Sequence, residues 1–238
     1  MAHISRKELK KDDFRDTVVH GAEAVLSHWR VVWIIGTAVL LVIAAVLGWW
    51  FYSEDQTVKA AAAFEEAMKV FHARIRALGE PQDPAEITYV EDKNKYEDAA
   101  KKFTGLAHRY WRTRPGQMAR YYAGLSYERL GQYEEAEKWL REAQKGSAEL
   151  ASQARFQLAK VYERSGKGAE AANIYQELIH KPTSLVPKLL AMLALAEYYS
   201  KANREEAAKL YEQIKTEFAN TAIADEAEQK LEMLRAGA

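Results

Sequence analysis

The chain contains no cysteine. That absence removes disulfides, cysteine-ligated zinc and thiol catalysis together, and it is compatible with an oxidising compartment. A charge excess is also missing, since 34 Lys and Arg stand against 34 Asp and Glu. The first 30 residues and the remainder are each close to balance. No basic excess is available to neutralise a phosphate backbone, so nucleic acid is not an expected partner. The six histidines (His3, His20, His28, His72, His108 and His180) are scattered without metal-ligand spacing. Neither a glycine-rich phosphate loop nor a G-x-S-x-G motif occurs. Glu134-Glu135 and Glu205-Glu206 open helices, where carboxylates complement the helix dipole rather than form an acid–base pair. The sequence therefore predicts no catalytic residues, no metal and no cofactor, and an enzyme is not expected.

What the chain does have is one long apolar run, VVWIIGTAVLLVIAAVLGWWFY from Val31 to Tyr52, without a single Asp, Glu, Lys, Arg, Asn, Gln or His. As a helix it would reach roughly 33 Å, against about 30 Å for a bilayer's hydrocarbon core. Trp29 and Trp33 mark one edge, and Trp49, Trp50, Phe51 and Tyr52 the other, as a membrane–water boundary favours. The run exceeds the h-region of a cleaved signal, about 7–15 residues, and bulky WWFY sits where small residues should precede cleavage. An uncleaved signal anchor fits. Arg6, Lys7, Lys10, Lys11, Arg15 and Arg30 precede the run, while only Lys59 and Lys69 lie close beyond Glu54 and Asp55. The positive-inside rule then predicts a cytoplasmic N-terminus and a large domain on the opposite face of the membrane.

Four segments follow. Residues 1–30 read as a cytoplasmic amphipathic tail, with a capping box at Ser5–Glu8 and Phe14, Val18, Ala22 and Val25 at helical spacing. Residues 31–52 are the span, and residues 53–95 a connecting helix and loop. In that helix Phe64, Met68, Phe71, Ile75 and Leu78 form one stripe, read as packing against the next helix or, less simply, as a dimer seam. Gly79, Pro81 and Pro84 open a polar loop to about Asn94, and Tyr96–Tyr110 is helical again.

Residues 96–238 repeat. Segments 124–143, 159–178 and 195–214 align with Tyr127, Tyr162 and Tyr198 in one column, Ala136, Ala171 and Ala207 in the next, and Leu140, Tyr175 and Tyr211 in a third. Ala99 and Phe103 extend the pattern upstream. Each unit reads as two antiparallel helices joined by a turn such as Leu130-Gly131-Gln132. Small Ala permits close approach, and stacking supplies the core that one hairpin cannot bury alone. No stretch of this region alternates with period two.

These columns resemble the tetratricopeptide repeat (TPR), through Gly124, Tyr127, Gly131, Tyr133, Ala136, Leu140 and Ala143. The consensus Trp is replaced by Arg120, Arg155 and Ala191, and the consensus Pro is missing or displaced to Pro182 and Pro187. Residues 210–234 resemble the closing segment of bacterial envelope TPR proteins, including a capping helix. The resemblance implies an all-α fold: a single N-terminal transmembrane helix, then a solenoid of three or four hairpins plus a C-terminal cap. With the short tail and single span, the layout resembles the YfgM-like family, which implies a bacterial inner membrane with the large domain in the periplasm, and translocon subunits, periplasmic chaperones or client polypeptides as partners. Tyr121, Leu125, Glu128, Phe156, Lys160, Glu163, Met192 and Tyr199 are the partner-binding residues that the family's concave face implies. Membrane lipid would be met through the span. Two rivals remain at this level. One is a self-associating envelope or cell-division scaffold, in which the chain would be a homodimer, and the other is a cytosol-facing adaptor.

Overall fold

A computed structural model describes residues 29–81 and 83–236. The capping box at Ser5–Glu8 and the amphipathic tail lie outside the described residues. The chain divides into two compact units, Met1–Asp55 and Gln56–Ala238. Helix α1, Trp29–Phe71, holds the apolar run and the first part of the stripe that follows. It is long and apolar enough to cross a membrane. Two of its hydroxyls are satisfied locally: Thr37 Oγ1 donates to the Trp33 carbonyl at 2.9 Å, and Ser53 Oγ to that of Trp50 at 2.8 Å. Such back-bonding lets a hydroxyl sit in an apolar helix without an unmet polar group.

Within the second unit, α1 stops at Phe71, earlier than the sequence stripe suggested. Ile75 instead belongs to a short strand β1 (Arg74–Ile75), paired in parallel with β2 (Thr88–Tyr89), and Leu78 is 90% exposed. The expected polar loop is thus partly a clasp. Arg74 pairs with Glu80 at 2.9 Å, and Tyr89 Oη donates to Asp98 at 2.6 Å. The remaining stripe residues turn inward. Phe64 and Phe71 lie 5.7 and 6.1 Å from the Phe103 ring, and Phe64 is 5.5 Å from Tyr122. The apolar face offered for a dimer seam is therefore occupied inside the chain.

Among the described residues eight helices follow: α2 (Asp92–Arg109), α3 (Arg114–Arg129), α4 (Tyr133–Ala143), α5 (Ala148–Arg164), α6 (Gly168–His180), α7 (Lys188–Ala202), α8 (Arg204–Glu217) and α9 (Ala222–Ala236). Helix α2 starts a turn before the expected Tyr96. The boundaries are set by local chemistry. Thr113, Ser147 and Asn203 side chains accept the backbone N–H of Gly116, Leu150 and Glu206, capping α3, α5 and α8. Gly131 and Gly166 stop α3 and α5 with φ of 71° and 80°, a left-handed conformation that glycine adopts without a Cβ penalty. Successive helices pack as antiparallel neighbours, and α3 also touches α5 across a unit boundary.

The repeat columns occupy the places assigned to them. Ala136, Ala171 and Ala207 have no exposed surface, and Leu140, Tyr175 and Tyr211 are buried beside them. Successive cores result, around Phe103, around Leu140–Tyr175 and around Tyr211–Leu231. The architecture is the all-α helical-hairpin solenoid that the sequence implied. Truncating Phe103 to Ala should cost about 3–5 kcal/mol, because the cavity lies among packed rings, whereas Leu78→Ala should stay within about 0.5 kcal/mol. Denaturant unfolding of the two variants measures the contrast.

Candidate functional site

Helix α5 repeats polar residues on one face, Lys160, Glu163 and Arg164, while α7 carries Ala194, Glu197, Tyr198 and Lys201 at helical spacing. Between them lies a groove of about 540 Å³, floored by Tyr175 from α6. A second depression of about 410 Å³ shares Glu197 and Lys201 and reaches Met233 and Leu234 on α9. The accessible surface thus steps along the first helices of successive hairpins, from α5 through α7 to the final helix.

Most groove charges are already engaged. Tyr175 Oη donates to Glu163 Oε1 at 2.5 Å, and burial, reinforced by that carboxylate, pushes the phenol well above its usual range. Arg164 meets Glu128 at 2.9 Å, and Gln157 Nε2 donates to the other Glu128 oxygen. Lys230 lies 3.8 Å from Glu197. Lys160 lies 5.0 Å from the Phe156 ring centroid. Among the described residues, neither Lys160 nor Lys201 has a carboxylate within ion-pair distance. The groove can therefore offer two ammonium groups and the half-buried Tyr198 to an extended chain.

The sequence-derived residues separate into three sets. Lys160 and Glu163 line the groove. Tyr121, Leu125, Phe156 and Tyr199 are half-buried and partly engaged in packing. Tyr121 lies 5.4 Å from Tyr122, with its hydroxyl pushed up to about 12 by burial; Phe156 is edge-on to Tyr175 at 5.7 Å. Glu128 is only 5% exposed and ties α3 to α5. Met192 needs correcting as a contact residue. It has no exposed surface and packs with Tyr211, Ile214 and Leu231, because α8 and α9 close over that side of α7. Arg164, Glu197, Tyr198 and Lys201 were missed. The i, i+4 spacing of Lys160–Arg164 and of Glu197–Lys201 was the available signal.

On another surface, at the turns, Glu137 of α4 binds the next unit. Its Oε1 accepts from Arg141 at 3.0 Å and Tyr162 at 2.8 Å, and its Oε2 from Lys167 at 2.8 Å. Partial burial opposes ionisation, but the bonds from Lys167, Tyr162 and Arg141 outweigh it and hold the carboxyl below its ordinary 4.5. Among the described residues no group of three His, Asp or Glu is placed to hold a metal ion.

A depressed carboxyl contributes stability above its unfolded pKa and loses it as pH falls through the folded one. Glu137→Ala should therefore cost about 1–2 kcal/mol at neutral pH, since solvent screens part of the attraction. The penalty should shrink as pH falls below 4.5. Thermal unfolding of wild type and variant across the acid range measures it. A penalty unchanged by acid would rule out the ionic clamp.

Residues 85–154 match one tetratricopeptide-repeat profile, and 153–184 and 190–221 match a second. Together they cover more than half of the chain. No curated protein matches at a significant level. Among solved structures, the nearly identical TPR-like repeats described as a Podosopora anserina kinesin light chain superpose with TM-score 0.53 at 16% identity, covering 75% of this chain and 94% of that one. A point variant of the same repeats gives TM-score 0.53 at 16% identity, covering 75% and 93%. At that identity the likeness speaks to the fold.

Proposed function

The chain belongs to the tetratricopeptide-repeat family, and from that premise we propose that it is a membrane-tethered scaffold whose groove over α5, α7 and α9 holds polypeptide partners. Scaffolding of protein–protein contacts is what the repeats indicate. The observation carrying the finer reading is the groove itself, where among the described residues Lys160 and Lys201 have no carboxylate within ion-pair distance and Tyr198 lines the wall. An extended segment bearing acidic side chains or a terminal carboxylate would complete those two charges, while Phe156, Tyr198 and Met233 supply apolar area around it. Tyr121, Leu125 and Tyr199 form the periphery of the same face.

The apolar part of α1 is the tether. Its length, its aromatic edges and its self-satisfied hydroxyls support a single span. The flanking cations support a cytoplasmic N-terminus, and the resemblance to bacterial envelope repeat proteins supports an inner membrane with the repeats in the periplasm. A tether confines the groove to the membrane and raises its effective concentration for partners held there. Translocon subunits, periplasmic chaperones and their clients are the partners that the YfgM-like layout suggests.

Two measurements test this reading. Protease added outside spheroplasts should remove the repeat domain, and protection until lysis would reverse the topology. Crosslinking before detergent extraction should recover protein partners with the wild-type chain, reduced on the order of tenfold by Lys160→Glu with Lys201→Glu. Equal recovery by wild type and variant would displace binding from this groove.

A further inference from the structure

In a chain balanced overall, residues 99–127 contain no Asp or Glu, yet they hold Lys101, Lys102, Arg109, Arg112, Arg114 and Arg120. The block centres on the α2–α3 turn, where Trp111 is 53% exposed. This Trp is presented rather than frayed. Arg120 Nη2 donates to its carbonyl at 3.3 Å, and the Arg112 guanidinium lies 4.5 Å from its ring centroid. Thr113 fixes the following helix start. Lys101, Lys102, Arg109 and Arg114 are exposed, and among the described residues none has a carboxylate within ion-pair distance. Glu142, the acid that feels Arg120, is itself bound by Lys145 at 2.5 Å. Arg114 opens α3 with no acid in the first turn, so the positive end of the helix adds to the local potential.

The packing says where in the second unit this patch lies. Phe71 meets Tyr96 and Phe64 meets Phe103, so the last part of α1 and α2 run antiparallel. That returns the α2–α3 turn to the level of Ala60, which shares a core with Ala107 and Tyr110. Ala60 lies a few residues after the unit's first residue, Gln56, where the chain arrives from the apolar run.

We infer that the Trp111 turn with Lys102, Arg109 and Arg114 is a second membrane contact, docking on the headgroups of anionic phospholipids. The inference rests on the reading of α1 as a span. An interfacial Trp among cations that lack carboxylate partners matches a negatively charged bilayer surface in both its apolar and its ionic part. Because the second unit is joined to the tether at Gln56, its patch is confined near that surface and needs no long diffusional search. Attraction of this kind is screened over about 8 Å at physiological salt, so it acts only close to the lipid.

The test uses the full chain in nanodiscs of phosphatidylcholine alone or with phosphatidylglycerol, each with brominated acyl chains. The emission difference between wild type and Trp111→Phe isolates this one indole. Trp111 should be quenched in the anionic discs and not in the neutral ones. High salt, or the variant Lys102→Gln/Arg109→Gln/Arg114→Gln, should abolish that quenching. Incorporated chain whose Trp111 stays unquenched in anionic discs, or is quenched equally in both, overturns the docking while leaving the span intact. A Trp111 response to added RNA or to an acidic protein, with none to lipid, overturns it as well. Failure to enter discs refutes the span instead. The detergent-free chain is then floated with anionic vesicles, where binding reduced on the order of a hundredfold by the charge variant supports the patch and no binding refutes it.

Discussion

Close approach of helices at an alanine, with a large ring or Leu filling the space beside it, is the contact on which the repeat domain depends. Ala136 with Leu140, Ala171 with Tyr175, and Ala207 with Tyr211 make the same pairing three times, each buried. No hairpin completes its own core. Tyr162 of one unit reaches back to Glu137 of the unit before it, and the Tyr198 ring lies so close to Gly168 that a Cβ there would fall within 2.0 Å of its hydroxyl. Stability is therefore shared between neighbours, and the two ends need special arrangements.

Those ends are closed differently. At the C-terminus α9 places Ala227 and Leu231 over the last hairpin. At the other end the last turns of α1 give Ala60, Phe64, Ala67 and Val70 to the first core, and Phe71 packs against it. The stretch that looked like a connector from its composition is thus a structural part of the compact unit. The strand pair between Arg74–Ile75 and Thr88–Tyr89 holds the intervening loop against α2 through Tyr89 and Asp98.

The proposed binding face follows the same logic of units and ends. Between α3 and α5 the space is taken up by Glu128, Gln157 and Arg164, which cross-link two helices. Between α5 and α7 the corresponding space stays open. Ala194 is small there, and among the described residues Lys201 has no carboxylate within ion-pair distance to draw it across. On this face the open space therefore lies toward the C-terminal half of the array, away from Tyr121 and Leu125.

The sequence alone determined the helical hairpins, their period and their inner columns, because a side chain's size at a fixed helical spacing is enough to decide what two helices can pack. It also marked the apolar run, since a bilayer's thickness is a length that composition can be counted against. Tertiary structure decided which candidate contact residues are open to a partner and which are consumed. Met192 and Glu128 were read as outward-facing from their place in the repeat, yet one is sealed by α8 and α9 and the other is held by Arg164. Both outcomes depend on neighbours distant in the chain, and pairing across such distances has no signature in local spacing.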